Sequence, residues 1–471
     1  MSRVRLFVEN FLVYGFINIL NKLIPFILLP LITRLLPNTS DFGNFDMFNL
    51  IMNFGSQIAI LGMYDAMFRE YFEKEEQQYR YNVTATAQRI VLINSLIICF
   101  ILIVFSGVFS KLFFGNIDNQ KIVFFSSIGL LLSANNNVVS TPTRIQNKKK
   151  IFIFSGLLNS GLYYFLSIIL IILGLNFEAL IFSRIVSLLA LLLFFWLLNK
   201  KFFLKGTYST KVSKELFKIG LPLVPALLIH WIFKSMDRIM ITHFLGTAEL
   251  GIYAIGARVA QISQFIEVGF SMGWKYFVFK TMKDKDYNIM LGNIWELMFV
   301  FCTLFFCIGY LVKDFLFRTM FVADYVKGVE VFPFLLLGPL MLLLYRIFAI
   351  QFQVIKKTYY SPIILTCGAA INVTFNYYLI PDMGIKGAAL ATVLGYLITV
   401  LIAFFIMFRK KLILFNIKTF FITTLFLLLF GLIVFFEDKK FLINYSITVY
   451  ILSVLLMYYK RIIGYMKKLR K

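Results

Sequence analysis

The chain has 471 residues, 60% of them hydrophobic and 15% charged. Apolar runs of roughly 20 residues or more, enough to cross a bilayer as helix, recur along it, which excludes a soluble globular enzyme and makes it a polytopic membrane protein. The net charge of +24 gathers in alternate connections between these runs, so it reads as membrane topology and implies no nucleic-acid partner.

The first apolar run continues to about Leu36, past the short core of a cleavable signal sequence, so the first span is expected to be its own insertion signal. Fourteen spans are predicted: 9–36, 42–66, 85–109, 121–142, 151–173, 177–199, 216–244, 248–274, 289–315, 329–354, 360–380, 384–408, 415–436 and 441–460. An even number puts both termini on one side. That side collects Arg3 and Arg5, Arg69 to Arg80, Arg144 to Lys150, six lysines from Lys200 to Lys218, Lys275 to Lys285, Lys356 and Lys357, Arg409 to Lys418 and the basic tail. By the positive-inside rule it is cytoplasmic, and its basic loops sit near anionic membrane lipid. The connections at 110–120 and 316–328 on the other side are too short to fold as domains, so any chemistry is expected within the membrane. Cys99, Cys302, Cys307 and Cys367 lie in apolar runs without metal-ligand spacing, and neither a disulfide nor a metal site is expected.

Polar residues interrupt the spans in patterns. Tyr14, Asn18 and Lys22 are spaced by four in the first span, and Asp46, Asn49, Asn53 and Gln57 form a stripe at helical spacing in the second. Asn135, Asn136, Asn137 and Ser140 cluster in the fourth, where hydrogen bonds between helices are the ordinary use of such residues. Arg184 in the sixth span either faces a cavity or pairs with Glu178 or a neighbouring helix. His230, Lys234, Asp237 and Arg238 fall at i, i+4, i+7 and i+8 of the seventh and share one face. Arg258, Gln261 and Glu267 follow in the eighth, Glu296 in the ninth, Arg346 in the tenth, and Asn372 and Asn376 in the eleventh. Prolines bend the first, seventh and tenth spans, at Pro25 and Pro30, Pro222 and Pro225, and Pro333 and Pro339.

A charge at the bilayer centre costs about 2.5 to 3.5 kcal/mol on insertion scales, so such residues normally face a bundle interior or a wet cavity. Lys22, His230, Lys234, Arg258 and Arg346 are therefore expected to line a cationic cavity. Asn18, Asp46, Asn49, Asn53, Gln261 and Arg184 are its further polar candidates. Arg34, Arg89 and Arg238 are expected near an interface, where long side chains snorkel. Unmatched buried cations imply an anionic ligand, and pyrophosphate suits them, since arginine binds phosphate oxygens bidentately and lysine as a point charge. Asp237, Glu267 and Glu296 are candidates for coupling to protons or sodium, with an ion pair from Asp237 to Arg238 or Lys234 as the alternative.

Ile32, Thr33, Arg34 and Leu36, followed by Phe42 and Gly43, match Ile241, Thr242, His243 and Leu245, followed by Leu250 and Gly251, at an offset of 209 falling to 208. Lys148 and Lys149 match Lys356 and Lys357 at 208, and residues 178–180 match 386–388 less closely. The register argues for two six-span copies in the same orientation, with a site at their interface. The expected organisation is a lobe at 1–199, a cytoplasmic linker at 200–215, a lobe at 216–408, and two further spans with a basic tail at 409–471. Lys22 and His230 are equivalent under the offset.

The segments LPLITRLLPNTSDFGNFDMF, SMDRIMITHFLGTAELGIYAIGARVA and NYYLIPDMGIKGAALATVLGYLI, in this order and spacing, resemble the polysaccharide biosynthesis export family, the Wzx-type flippases of the multidrug/oligosaccharidyl-lipid/polysaccharide superfamily. The resemblance covers nearly the whole chain. It implies an all-helical protein of two pseudo-symmetric six-helix lobes around a central cavity plus two C-terminal helices. It also implies a flippase of the bacterial cytoplasmic membrane that moves undecaprenyl-pyrophosphate-linked oligosaccharide by alternating access, for O-antigen, capsule or exopolysaccharide assembly. A polysaccharide polymerase and glycosyltransferases of the same pathway are the implied partners, and an ion gradient the implied energy source. Arg258 matches a basic residue of the related lipid II flippases in span 8, whereas Lys22 departs from their arginine in span 1. A lipid II flippase is the nearest alternative. A multidrug extruder of the superfamily is expected to have twelve spans and an acidic interior. No P-loop, nucleophile and base, or long catalytic loop supports an enzyme, and no cofactor is expected.

Overall fold

A computed structural model of the chain describes residues 24, 26–436 and 439–469, and all the regular structure in them is helical. The order begins α1 (Phe26–Leu35), α2 (Thr39–Ile60), α3 (Met63–Glu70), α4 (Gln77–Val104), α5 (Ser106–Phe114) and α6 (Gln120–Ile145). It continues with α7 (Lys149–Ile172), α8 (Phe177–Leu204), α9 (Thr210–Gly220), α10 (Val224–Leu245), α11 (Thr247–Ala260) and α12 (Ile262–Thr281). The last are α13 (Tyr287–Met320), α14 (Phe332–Val354), α15 (Tyr360–Arg409), α16 (Ile417–Phe435) and α17 (Lys440–Leu469).

Every predicted span contains helix among its described residues. Among those residues, nine helices are long and apolar enough to cross a membrane, and a bent pair makes up to ten. The difference from fourteen has local causes. The first span lies largely outside the described residues. α2, rich in Asn and Asp, is not among the nine. Span 8 is broken at Gln261 between α11 and α12, and spans 11 and 12 run on as α15 across Gly384, whose φ of 61° and ψ of −145° suit glycine alone. The bent pair, Thr210–Ile229 and Trp231–Leu245, meets at 40°.

By contact the chain divides into two compact units, the first comprising residues 1–259, 320–331 and 369–392, the second 260–319, 332–368 and 393–471. This division follows packing, and the repeat halves 1–199 and 216–408 follow sequence. In the first unit α6 packs against α2, α4 and α8. Phe48, Met52, Leu130 and Val138 are fully buried there. The asparagines of span 4 hold this core together: Asn135 Nδ2 donates to Ser95 Oγ at 3.0 Å and Asn136 Nδ2 to the Leu188 carbonyl at 2.8 Å. α2 starts at Asn38, whose side chain accepts from the Ser40 amide at 3.1 Å, and it ends at Leu61 and Gly62, both left-handed.

The second unit is built on aromatic rings. Trp295 stacks on Phe299 and Phe348 with centroids 5.2 and 5.5 Å apart. Beside it the buried Glu296 carboxylate accepts from Thr419 Oγ1 at 2.5 Å and Tyr458 Oη at 2.6 Å, and Tyr450 Oη donates to Thr303 at 2.7 Å. These bonds fix α16 and α17 to α13. Apolar packing between transmembrane helices has little solvent-driven preference, so such polar rungs help set the register.

Candidate functional site

A polar cleft of about 390 Å³ opens in the first unit, lined by Asp46, Asn49, Asn53 and Gln57 of α2 and by Trp231, Lys234, Ser235 and Arg238 of α10. The spacing of three to four that predicts a stripe on each helix is what brings these residues to one side of each. Trp231 supplies its aromatic wall and packs on Phe54 behind it, with ring centroids 4.3 Å apart. Asn49 returns its amide to the Phe45 carbonyl at 2.8 Å. Trp231 Nε1 is buried with no hydrogen-bond acceptor among the described residues.

Charge is concentrated around Asp46. Arg238 Nε donates to Asp46 Oδ2 at 2.8 Å, and Arg258 Nη2 stands 3.7 Å from Asp46 Oδ1. Arg238 also reaches Asp237 Oδ1 at 3.3 Å, and the Tyr253 hydroxyl donates to the other oxygen of Asp237. The Arg258 guanidinium lies over the rings of Phe42 and Phe45, 4.5 and 5.6 Å from their centroids. Tyr253 further contacts Thr392, which accepts from Asn372 Nδ2 at 3.2 Å. Both amide atoms of the fully buried Asn376 and the Asn372 oxygen lack partners among the described residues. The cluster sets Arg238 and Arg258 against Asp46 and Asp237, with Lys234 on the adjoining cleft wall.

One turn before Asp46, Gly43 lies against α11. A Cβ there would stand 1.8 Å from the Thr247 carbonyl oxygen, and one on Gly251 would stand 1.9 Å from that of Thr39. Nearby, the buried Tyr325 hydroxyl is within 2.9 and 3.0 Å of the Leu36 and Asn38 carbonyls. α2 and α11 are thus in backbone contact beside the charge cluster.

Of the residues expected to form the site, Asp46, Asn49, Asn53 and Lys234 line the cleft, while Arg258 and Asp237 join through ion pairs. Arg258 is no unmatched cation, because Asp46 faces it. Arg238, expected to snorkel, instead bridges Asp46 and Asp237; the signal was its position on the same helical face as Lys234. Arg184 is half-buried, interacts electrostatically with Arg258, Tyr163 and Tyr164, and makes no ion pair with Glu178 among the described residues. Arg346, Glu267, Gln261 and Glu296 belong to the second unit. Arg346 is bound there by Glu267, which also accepts from Ser271 at 3.1 Å. Lys22, Asn18 and the side chain of His230 lie outside the described residues. Tyr253, Gln57 and Trp231 complete the site and were not among its expected members.

The sequence pattern of the polysaccharide biosynthesis protein family matches residues 31–268, just over half of the chain. An uncharacterized membrane protein of Methanocaldococcus jannaschii is 26% identical over 199 residues; the match spans 41% of this chain and only 39% of that curated relative. The lipid II flippase MurJ in an inward closed conformation superposes over 96% of this chain and 100% of its own with a TM-score of 0.72 at 16% identity. An inward-facing multidrug resistance MATE family transporter of the MOP superfamily covers 80% of this chain and 91% of its own, with a TM-score of 0.62 at 17% identity. A MOP superfamily transporter from Pyrococcus furiosus, reported for the reverse polarity of its binding pocket, covers 87% and 95% with a TM-score of 0.56 at 16% identity. At these identities the likeness is one of fold.

Proposed function

The chain belongs to the polysaccharide biosynthesis protein family, and we propose that it is a flippase carrying undecaprenyl-pyrophosphate-linked oligosaccharide across the bacterial cytoplasmic membrane by alternating access. The carrying observation is the cleft between α2 and α10, where Lys234 and Arg238 line the wall and Arg258 stands behind Asp46. A pyrophosphate entering it is met by Lys234 as a point charge and by guanidinium groups that Asp46 holds in place. The Asn49, Asn53 and Gln57 stripe offers amides to the first sugar. No bond is made or broken, so the protein works as a carrier and not as an enzyme, with its termini on the cytoplasmic side.

In this reading Asp237, linked through Tyr253 to Thr392 and Asn372, is the group that senses a proton or sodium ion. Glu267 and Glu296 are engaged by Arg346 and by Thr419 and Tyr458. The pathway's glycosyltransferases supply the cargo and its polymerase consumes it.

A strain lacking this protein is expected to lose surface polysaccharide and accumulate its lipid-linked unit. The intact chain restores export, and the Lys234→Ala/Arg258→Ala variant does not. Full export by that variant would remove the reading. A second reading, transport of lipid II, is favoured by the fold match over 96% of the chain; rescue of cells depleted of their lipid II flippase would put it first.

A further inference from the structure

The connection from α8 to α10 is neither a loose loop nor a simple spacer. Gln78 Nε2 donates to the Lys205 carbonyl at 3.0 Å, the Thr207 amide to Asn82 Oδ1 at 2.9 Å, and the Ser209 amide to Thr86 Oγ1 at 3.1 Å, so residues 205–209 are pinned along the first turns of α4. Gly206 packs so closely that a Cβ there would meet the Tyr81 carbonyl at 2.2 Å. Ser209 then caps α9, accepting from the Val212 amide at 3.4 Å. α9 buries Val212, Ser213 and Leu216, and it packs against α3 and α4.

The other side of α9 carries Lys211, Lys214 and Lys218 at i, i+3 and i+7, all exposed, with Lys200, Lys201 and Lys205 exposed just before it. Several basic residues elsewhere in the chain are engaged. Arg69 pairs with Glu73 at 3.2 Å, Arg144 donates to the Tyr64 hydroxyl at 2.7 Å, and Lys410 to the Tyr360 hydroxyl at 2.8 Å. None of the six ammonium groups has a hydrogen-bond or ion-pair partner among the described residues. Glu215 borders the row on the side of Tyr79, on which it acts electrostatically.

We propose that the lysine face of α9 is a built docking surface for anionic phospholipid headgroups of the surrounding leaflet. A row of lysines rooted at helical spacing on an ordered backbone, between the apolar helices α8 and α10, matches phosphate diester headgroups in charge. Because the backbone beneath is already ordered, binding does not have to fold the segment. Each lysine close to an anionic surface strengthens the contact roughly fivefold. The surface is separate from the cleft and does not depend on what the cleft carries.

The test is native mass spectrometry of the full-length protein in detergent, titrated with short-chain phosphatidylglycerol and, in parallel, with short-chain phosphatidylcholine. The wild type is expected to prefer phosphatidylglycerol, and Lys211→Gln/Lys214→Gln/Lys218→Gln to lose that preference by about tenfold or more. A matched charge removal elsewhere, Lys283→Gln/Lys285→Gln/Lys356→Gln, is expected to keep it. The ratio between the two lipids is the readout, since a destabilised variant lowers both together. An unchanged ratio in the α9 variant, an equal loss in both variants, or displacement of the lipid by inorganic phosphate at equal concentration overturns the proposal.

Discussion

Gly43 on α2 and Gly251 on α11 face each other's helix reciprocally. A Cβ on the first would strike the Thr247 carbonyl, one on the second the Thr39 carbonyl, and both glycines and both threonines are related by the sequence offset of 208. The repeat thus contributes the same turn from each copy to one close crossing, which only glycine allows.

Gly43→Ala leaves a gap that has to widen by roughly 1.5 Å to reach ordinary contact. If this crossing closes one side of the transport path, the variant is expected to reach the membrane at normal levels and to export polysaccharide poorly. Gly161→Ala and Gly269→Ala, whose Cβ atoms meet nothing within 4 Å, are expected to export normally. Quantifying surface polysaccharide against membrane protein level makes the comparison.

Asp46 answers two guanidinium groups, with side-chain exposures of 12% for Asp46, 21% for Arg238 and 24% for Arg258. Asp46→Ala is expected to destabilise the protein by about 2 kcal/mol, below the range for fully buried pairs because the groups are partly wet. The double variant Asp46→Ala/Arg238→Ala is expected to be more stable than the sum of the single changes implies. A double-mutant cycle on thermal unfolding in detergent checks this; strict additivity would separate the two residues.

Lys234 is exposed on the cleft. Lys234→Gln is expected to leave unfolding unchanged and to weaken uptake of a pyrophosphate-linked lipid by about tenfold, with Lys234→Arg recovering most of it. Concentration dependence of transport in proteoliposomes separates this from a stability effect.

Glu296 supports α16 and α17. Glu296→Ala leaves the Thr419 and Tyr458 hydroxyls without their acceptor and is expected to lower the unfolding midpoint by roughly 2 °C, following about 2 kcal/mol lost. Transport is expected to survive in part, because these helices stand outside the repeat. Complete loss of transport in a variant that stays folded would give them a direct role.

Much of this was legible in the sequence because helical spacing is local. The face shared by Lys234, Asp237 and Arg238 follows from intervals of three and four, and the stripe from Asp46 to Gln57 likewise. Partners distant in sequence left no such trace: the pairing of Arg238 with its neighbour Asp237 was legible, but Asp46 is 192 residues away and nothing local points to it. Arg346 shows the same limit, since its pairing with Glu267 depends on how α12 and α14 pack. Breaks within spans were hidden for another reason. Hydropathy runs smoothly through Gln261, where the backbone turns, whereas the polar stretch from Pro381 to Gly384 reads as the boundary between spans 11 and 12.

The most direct test of the account is leaflet exchange of a fluorescent undecaprenyl-pyrophosphate-linked oligosaccharide in proteoliposomes containing only this protein. The account predicts exchange well above protein-free vesicles, reduced by Lys234→Gln and by Gly43→Ala. Exchange no faster than in empty vesicles, with the protein folded and lipid II moved instead, would contradict it.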